Sequence, residues 1–188
     1  MPDRYARLEE VDGRPALRLE RALPHPPERV WTALTDTKEM FAWHPTPASF
    51  EPRVGGRVAW HPDGHVADMP ENEVTDWDPP RLLGYTWPTL ETPNPDHLRW
   101  ELRPDDDGCL LILVHTFDDR LKAARDGAGW HVCLDALATD LDGRPEPPPH
   151  DPDVPGPWEG LNAEYQDRFG ISPEEATPPP VRLSLIHI

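Results

Sequence analysis

LKAARDGAGWHVCLDALATDL, residues 121–141, is the stretch that decides the fold. Its large apolar residues recur at helical spacing and form one stripe, made of Trp130, Leu134, Leu137 and Leu141. Gly143 follows the run and is the residue type that ends helices in a left-handed conformation. A helix of about 20 residues spans roughly 30 Å and needs a large partner surface. The stretch therefore predicts a long amphipathic helix packed on a sheet formed by the preceding residues.

Two glycines, Gly127 and Gly129, weaken the start of this helix by about 1 kcal/mol each relative to alanine. They let the backbone bend or approach another element closely. The apolar stripe has two interpretations, plain core or the roof of a ligand cavity, and the spacing alone supports both.

The residues before the helix alternate with the period of strands. CLLILVHTF, residues 109–117, is the most apolar run and predicts a central strand. The full set of strand candidates is 15–23, 49–54, 57–61, 65–78, 81–87, 97–103 and 109–117. We expect an antiparallel sheet of about six strands, with Pro70 marking an edge or a bulge. Turn signals lie at residues 62–64 and 105–108, and residues 88–95 form a proline-rich loop.

Two short helices are expected between the first strand and this sheet. Prolines at residues 24, 26 and 27 open the first helix, whose buried side carries Val30, Trp31 and Leu34. Asp36 and Glu39 resemble a capping box for the second helix. Because the residue before a proline avoids the helical region, the pair at residues 44–45 ends that helix.

The chain length of 188 residues predicts one main domain with additions at its ends. The predicted segments are a polar lead-in at 1–14, the domain at 15–143, a proline-rich connector at 144–157, a docking helix at 158–170 and a disordered tail at 171–188. The last residues, RLSLIHI, differ in composition from the rest, and whether they are native is left open.

The charge balance excludes several classes of partner. Lys and Arg number 18 against 35 Asp and Glu, which gives a net charge of −17. Such a chain repels nucleic-acid phosphates and anionic membrane surfaces, so neither is expected as a partner. No signal peptide or apolar run of about 20 residues is visible, and we expect a cytoplasmic protein. The two cysteines, Cys109 and Cys133, form no CxxC pair and are expected to be buried free thiols.

No catalytic signature is visible in the sequence. It lacks GxGxxG, P-loop and GxSxG patterns, and the spacing of His44, His61 and His65 fits no zinc motif. We therefore predict no catalytic residue, no cofactor and no metal. His115 and His131 are the polar residues expected to face inward. They would act as a general acid–base pair or be hydrogen-bonded within the core, and both interpretations stay open.

Several segments resemble a known superfamily. They are RALPHPPERVWTALTD at 21–36, GGRVAW at 55–60, LLILVHTFDD at 110–119 and AGWHVCLDALATDL at 128–141. With the order of elements, they resemble the START-like (SRPBCC) superfamily, and in it the branch named for homologues of the heat-shock-protein-90 ATPase activator. The resemblance covers roughly residues 15–143, and the helix at 158–169 is similar to one in some members.

The resemblance implies an α+β helix-grip fold, in which a curved antiparallel sheet wraps around the long C-terminal helix. It also implies a cavity between them that often holds an apolar small molecule. The candidates to line that cavity are Trp31, Trp43, Trp60, Tyr85, Trp87, Trp100, Leu113, His115, Trp130, His131 and Leu134. Such rings either fill a core or line a pocket, and their N–H groups need partners in both cases.

The function expected from the resemblance is binding of a hydrophobic small molecule, driven by apolar burial and oriented by His115, His131 or a tryptophan N–H. One alternative is a cyclase- or dehydratase-like enzyme that uses the two inward histidines. Another is a chaperone-interacting protein, the least favoured, because the extra regions of the co-chaperone are not found here. The sequence leaves open whether the protein is a monomer or a homodimer.

Overall fold

The computed structural model describes residues 4–61, 71–87, 94–106, 108–144 and 157–176. In chain order the strands are β1 (Arg7–Val11), β2 (Arg14–Leu23), β3 (Ala48–Phe50), β4 (Arg57–Trp60), β5 (Asn72–Asp78), β6 (Leu82–Trp87), β7 (Asp96–Asp105) and β8 (Gly108–Thr116). The helices are α1 (Pro27–Thr35) and α2 (Thr37–Met40) between β2 and β3, then α3 (Ala123–Leu141) and α4 (Trp158–Phe169) after β8. The turn predicted at 62–64 and most of the predicted loop at 88–95, connector and tail lie outside the described residues.

The strands form one antiparallel sheet, so the predicted helix-grip architecture is confirmed. In the described part of the chain the sheet has eight strands, in the order β1-β2-β8-β7-β6-β5-β4-β3, where about six were predicted. β8 lies between β2 and β7 and is buried on both faces, in agreement with its apolar sequence. The inner face of the sheet carries the main core, which also includes the buried stripe of α3.

The sheet begins before residue 15, where the domain was expected to start. β1 lies within the predicted polar lead-in and pairs with β2 as an edge strand. Its residues are mostly exposed or half-buried, so they carry little of the apolar alternation that marks the other strands. β3 is shorter than the predicted 49–54, and β5 contains a register shift between Val74 and Asp76.

Both short helices are present, but α2 ends at Met40, before the predicted stop at residues 44–45, and its capping also differs from the prediction. Pro27 is the first residue of α1, and Val30 and Leu34 are buried while Trp31 is only half-buried. Asp36 caps α2 by accepting hydrogen bonds from the backbone N–H groups of Lys38 and Glu39. Glu39 does not complete a capping box, because the Asp36 N–H already donates to Thr32 O. The Glu39 carboxylate lies 2.5 Å from Arg29 Nη1 instead.

The long helix α3 follows a short 3₁₀ turn at Arg120–Lys122. The four residues of its predicted stripe are all buried. Gly143 adopts a left-handed φ of 68° and donates its N–H to Asp140 O, which confirms the predicted C-terminal cap. The cysteines are free and buried as predicted. Burial raises the pKa of Cys133 to about 12, so this thiol stays protonated near neutral pH.

Helix α4 packs on α3, as predicted for residues 158–170. Tyr165 of α4 is fully buried (0% exposed), and its ring lies against Gly127 of α3. A methyl group on Gly127 would lie 3.5 Å from that ring, whereas nothing lies within 4 Å of the same position on Gly129. Of the two predicted sites of close approach, the structure therefore uses Gly127. The ordered chain extends into the predicted tail, because Ile171 is only 3% exposed within the core.

Candidate functional site

Six large aromatic side chains lie in contact where the inner face of the sheet meets α3 and the residues after α2. We call Trp43, Trp60, Tyr85, Trp87, Trp100 and Trp130 the tryptophan cluster. Trp130 of α3 has its ring centre 5.5 Å from that of Trp100 on β7 and 5.8 Å from that of Trp87 on β6. These rings meet edge to face, the arrangement that the aromatic quadrupole favours. The helix and two adjacent strands thus converge on Trp130.

The cluster continues from Trp130 towards the other strands and α2. Trp60, the last residue of β4, lies 4.7 Å from Trp87 and 6.0 Å from Tyr85. Trp43 lies 6.1 Å from Trp100, and the ring of His44 lies 5.5 Å from both Trp87 and Trp130. Trp87 is half-buried and is the accessible edge of an otherwise buried set.

Trp31 lies apart from the cluster that it was predicted to join. It is half-buried, and its ring centre lies 5.2 Å from that of Trp77 on β5. Two apolar candidates, Leu113 on β8 and Leu134 on α3, are buried in the main core as their periodicity predicts.

The indole N–H groups of the cluster differ in their partners. Trp43 Nε1 donates to Ala33 O at 3.0 Å, and Trp100 Nε1 donates to the hydroxyl of Tyr85 at 3.2 Å. Trp130 Nε1 donates to His115 Nδ1 at 3.0 Å. Trp60 Nε1 is buried and has no hydrogen-bond partner among the described residues. A buried donor without a partner lowers the stability of the fold by about 1–3 kcal/mol. This N–H can therefore still form one hydrogen bond.

A buried polar network lies against Trp130. We call Asp96, His115, Lys122 and Trp130 the Asp96 network. His115 Nδ1 accepts the indole hydrogen of Trp130, so the imidazole proton is on Nε2. Nε2 therefore donates to Asp96 Oδ2 at 3.0 Å. The imidazole is neutral in this arrangement, and it connects the tryptophan cluster to a buried carboxylate.

Asp96 and Lys122 form a buried ion pair, at 1% and 3% exposed. Lys122 Nζ contacts Asp96 Oδ2 and lies 3.4 Å from Asp126 Oδ2. Burial by itself would raise the pKa of Asp96, but the hydrogen bond from His115 and the charge of Lys122 outweigh it and lower the pKa. The carboxylate is therefore ionised near neutral pH. Its second oxygen, Oδ1, is buried without a hydrogen-bond partner among the residues described.

Two members of the Asp96 network, together with Asp126, are the one group with metal-ligand geometry found in the described ranges. The ligand atoms of Asp96, His115 and Asp126 lie within 4.8 Å of one another. The ammonium group of Lys122 contacts both carboxylates and supplies the positive charge there. A metal ion would have to displace that ammonium group, so the arrangement is suited to a lysine rather than to a metal ion.

His131 belongs to a different buried network, which we call the Tyr165 network: Ala6, Arg21, His131, Asp135 and Tyr165. His131 Nδ1 lies 3.0 Å from the Tyr165 hydroxyl, which accepts a hydrogen bond from Ala6 N at 2.8 Å. His131 Nε2 lies 3.5 Å from Asp135 Oδ2, and Asp135 pairs with Arg21. Burial lowers the pKa of His131 and favours its neutral form.

His115 and His131 are both buried, as the sequence predicts, but the structure does not bring them together. His115 contacts Asp96 and Trp130, whereas His131 contacts Asp135 and Tyr165. Within the described part of the chain, the two networks share no hydrogen-bond partner. The geometry thus provides two separate buried histidines in place of one acid–base pair.

Comparison with known proteins identifies the family. The model of the family described as "Activator of Hsp90 ATPase homolog 1-like protein" matches residues 24–142, which is more than half of the chain. The chain belongs to the Activator of Hsp90 ATPase homolog 1-like family. This match confirms the resemblance to the START-like superfamily and to its heat-shock-protein-90 activator branch. No curated protein matches the sequence.

Solved structures share the fold of this family member. The crystal structure of CalU16 from Micromonospora echinospora matches with a TM-score of 0.66 at 19% identity, over 89% of this chain and 95% of that chain. The solution structure of the protein encoded by BPP1335 from Bordetella parapertussis matches with a TM-score of 0.63 at 25% identity, over 86% and 87%. MLL2253 from Mesorhizobium loti matches with a TM-score of 0.57 at 28% identity, over 70% and 99%. None of the helices in the described ranges is long and apolar enough to cross a membrane.

The sequence reasoning missed Asp96 and Lys122. Asp96 has the same strand parity as Leu98, Trp100 and Leu102, so extending the predicted strand by one residue would have placed it on the inner face. It lay between the predicted loop at 88–95 and the predicted strand at 97–103 and was assigned to neither. Lys122 carried no signal, because a lysine at a helix start is ordinarily solvated.

A concave surface away from the tryptophan cluster lies on the outer face of the family member's sheet. This cavity of about 310 Å³ is lined by Asp78, Arg81, Leu82, Arg99, Glu101, Leu102, Arg103 and Pro104. Its arginines are neutralised by neighbouring carboxylates, with Arg103 Nη2 2.6 Å and Arg99 Nε 3.2 Å from Glu101. It contains none of the predicted lining residues, and its balanced charges select no ligand class.

Proposed function

We propose that the protein binds an apolar aromatic small molecule against the tryptophan cluster, at the end of the sheet where β4 and β6 stop. The observation that carries the proposal is the buried N–H of Trp60, which has no hydrogen-bond partner among the described residues. The other three indole N–H groups described above each have an acceptor within the protein. A hydrogen-bond acceptor on a bound molecule would satisfy the Trp60 N–H.

The position of the cluster supports this proposal. Trp60 and Trp87 are the last residues of β4 and β6, and their rings are 4.7 Å apart. Trp87 is half-buried, so an apolar molecule that covers it would remove aromatic surface from water. Burial of about 200 Å² of apolar surface would contribute about 5 kcal/mol before the entropic cost of association. The family fold, in which a sheet and a long helix enclose the interior, is consistent with such a site.

The unpaired N–H also predicts which molecules bind. A hydrocarbon would leave the Trp60 donor unsatisfied, whereas an ether or ketone would accept its hydrogen bond. Sites with a buried polar group discriminate strongly against molecules that cannot pair with it. We therefore expect binding of a flat aromatic molecule that carries one acceptor.

The test compares naphthalene with 2-methoxynaphthalene by thermal unfolding and tryptophan emission. Because a molecule that binds only the folded state stabilises it, 2-methoxynaphthalene should raise the melting temperature more than naphthalene. The Trp60→Phe variant should lose this preference, and the control Trp158→Phe, on α4, should keep it. If neither probe changes the melting temperature or the emission of the wild type, the proposed function is wrong.

A further inference from the structure

The Asp96 network contains one polar atom that the protein leaves without a partner. Asp96 Oδ2 accepts hydrogen bonds from both His115 Nε2 and Lys122 Nζ. The two nitrogens of His115 are also engaged, one with Asp96 and the other with Trp130. Asp96 Oδ1, in a side chain that is 1% exposed, has no partner among the described residues. No hydrogen bond from the described part of the chain compensates for removing this oxygen from water.

Asp96 lies where the proposed molecule would bind. It is the first residue of β7 and pairs in register with Trp87, the half-buried edge of the tryptophan cluster. Its bond to His115 leads through Trp130 to the same cluster, because the Trp130 and Trp87 rings are 5.8 Å apart. Asp96 is therefore linked to the tryptophan cluster by two routes, the strand pairing with Trp87 and the hydrogen bonds through His115 to Trp130.

The charges around Asp96 restrict what its free oxygen can contact. The carboxylate is balanced by Lys122, and Lys122 also pairs with Asp126. An ionised carboxylate oxygen is only an acceptor, so its missing partner must be a hydrogen-bond donor. A second anion would be repelled here, and a cation would compete with Lys122. A neutral donor fits both conditions.

We propose that Asp96 Oδ1 accepts a hydrogen bond from a hydroxyl group of the bound molecule, so that the ligands of this site are neutral hydroxylated aromatic compounds. This inference rests on the proposed function and deepens it. Asp96 supplies the acceptor and Trp60 supplies the donor, while the tryptophan rings bury the apolar body. Because the pKa of Asp96 is lowered, the carboxylate is a weak base that binds the hydroxyl and leaves its proton in place.

The experiment measures the dissociation constants of 2-naphthol and 2-methoxynaphthalene by calorimetry at pH 7. The two probes share a ring system and an acceptor oxygen, and only 2-naphthol has a donor. A hydrogen bond to a charged group contributes about 1.5–3 kcal/mol, so the wild type should bind 2-naphthol about 10- to 100-fold more tightly.

The variant Asp96→Asn makes the test sharper. The donors His115 and Lys122 hold the amide oxygen on their side, so the Asn NH₂ group takes the position of Oδ1. The site then offers a donor where it offered an acceptor, and because both probes carry an acceptor oxygen the preference for 2-naphthol should disappear. The control Asp126→Asn removes a carboxylate from the same lysine and should keep the preference for 2-naphthol.

The outcomes separate the two proposals. If neither probe binds the wild type, the proposed function fails. If both bind with equal affinity, the function stands and the role of Asp96 is refuted. Should Asp96→Asn not fold, the wild type still decides, because 2-naphthol should shift the ¹³Cγ resonance of Asp96 and 2-methoxynaphthalene should not. An unchanged Asp96 resonance with bound 2-naphthol would overturn the inference.

Discussion

Trp130 and His131 are neighbours on α3, yet they belong to two buried networks with opposite properties. In the Tyr165 network the hydroxyl of Tyr165 contacts both Ala6 N and His131, and Asp135 contacts both His131 and Arg21. In the Asp96 network one carboxylate oxygen has no partner among the described residues, and in the tryptophan cluster the Trp60 N–H likewise has none. A satisfied network fastens one element to another, whereas an unsatisfied one has capacity for a ligand.

The contrast depends on burial as well as on pairing. Asn162 Oδ1 on α4 also has no partner within the described ranges, but its side chain is only half-buried. Asp96 and Trp60 are each 1% exposed. The Asn162 oxygen is itself buried, but it belongs to an uncharged amide in a half-buried residue, so the charged Asp96 and the fully buried Trp60 carry the comparison.

The largest expected effect is on stability and comes from the Tyr165 network, in which the polar groups are paired. Tyr165→Ala should lower the free energy of unfolding by about 3–5 kcal/mol, because it empties the space that a fully buried aromatic ring fills. Tyr165→Phe keeps the ring and should cost about 1–3 kcal/mol through the unpaired N–H of Ala6. Urea unfolding measures both. A loss below 1 kcal/mol for Tyr165→Ala would mean that α4 does not stabilise the domain.

The next effect tests the contact between α3 and α4. Gly127→Leu should destabilise the protein by about 1–3 kcal/mol, because the added atoms meet the ring of Tyr165. Gly129→Leu is the matched control and should be stabilising by up to about 1 kcal/mol, since that position is open and leucine favours helix. Equal changes in the two unfolding midpoints would argue against the docked position of α4.

A smaller effect compares two buried tryptophans of the cluster. Trp43→Phe and Trp60→Phe remove similar volume, but only Trp43 loses an indole hydrogen bond, the one to Ala33 O. Trp43→Phe should therefore be less stable than Trp60→Phe by about 1 kcal/mol in chemical unfolding. The reverse order would show that the Trp60 N–H has a partner within the protein.

The smallest effect is on the pH dependence of stability. Burial lowers the pKa values of His131 and His97, so the folded state prefers both in the neutral form. Their contribution is complete above the unfolded pKa of about 6.5 and is lost as the pH falls through the lower folded values. The free energy of unfolding should fall between pH 7.5 and 5.5.

Substitution locates the source of this slope. His131→Gln should flatten it, and His97→Gln combined with His131→Gln should flatten it further. An unchanged slope in the double variant would exclude both histidines as its cause.

Much of the fold could be predicted because its signals are local. The stripe of α3, the Gly143 cap and the Asp36 cap each depend on residues within one or two helical turns. The docking helix α4 was also visible in its own spacing. β1 was missed because an exposed edge strand has little apolar alternation.

The site could be predicted only in part, because its decisive features depend on long-range contacts. The periodicity indicated that His115 faces inward, and the structure confirms this. Its partner Asp96 is 19 residues away, and Lys122 is 26 residues from Asp96. Which indole N–H lacks an acceptor depends on the register of β4 beside β3 and β5, and no local pattern encodes it.

The most direct test of ligand binding at the tryptophan cluster is the set of indole ¹H–¹⁵N signals of the wild-type protein, recorded with and without 2-methoxynaphthalene. A molecule bound as proposed should move the Trp60 signal most, in the direction of a newly formed hydrogen bond. The signals of Trp43, already bonded to Ala33 O, and Trp158, on α4, should stay in place. An unmoved Trp60 signal at saturating probe would contradict the proposed site.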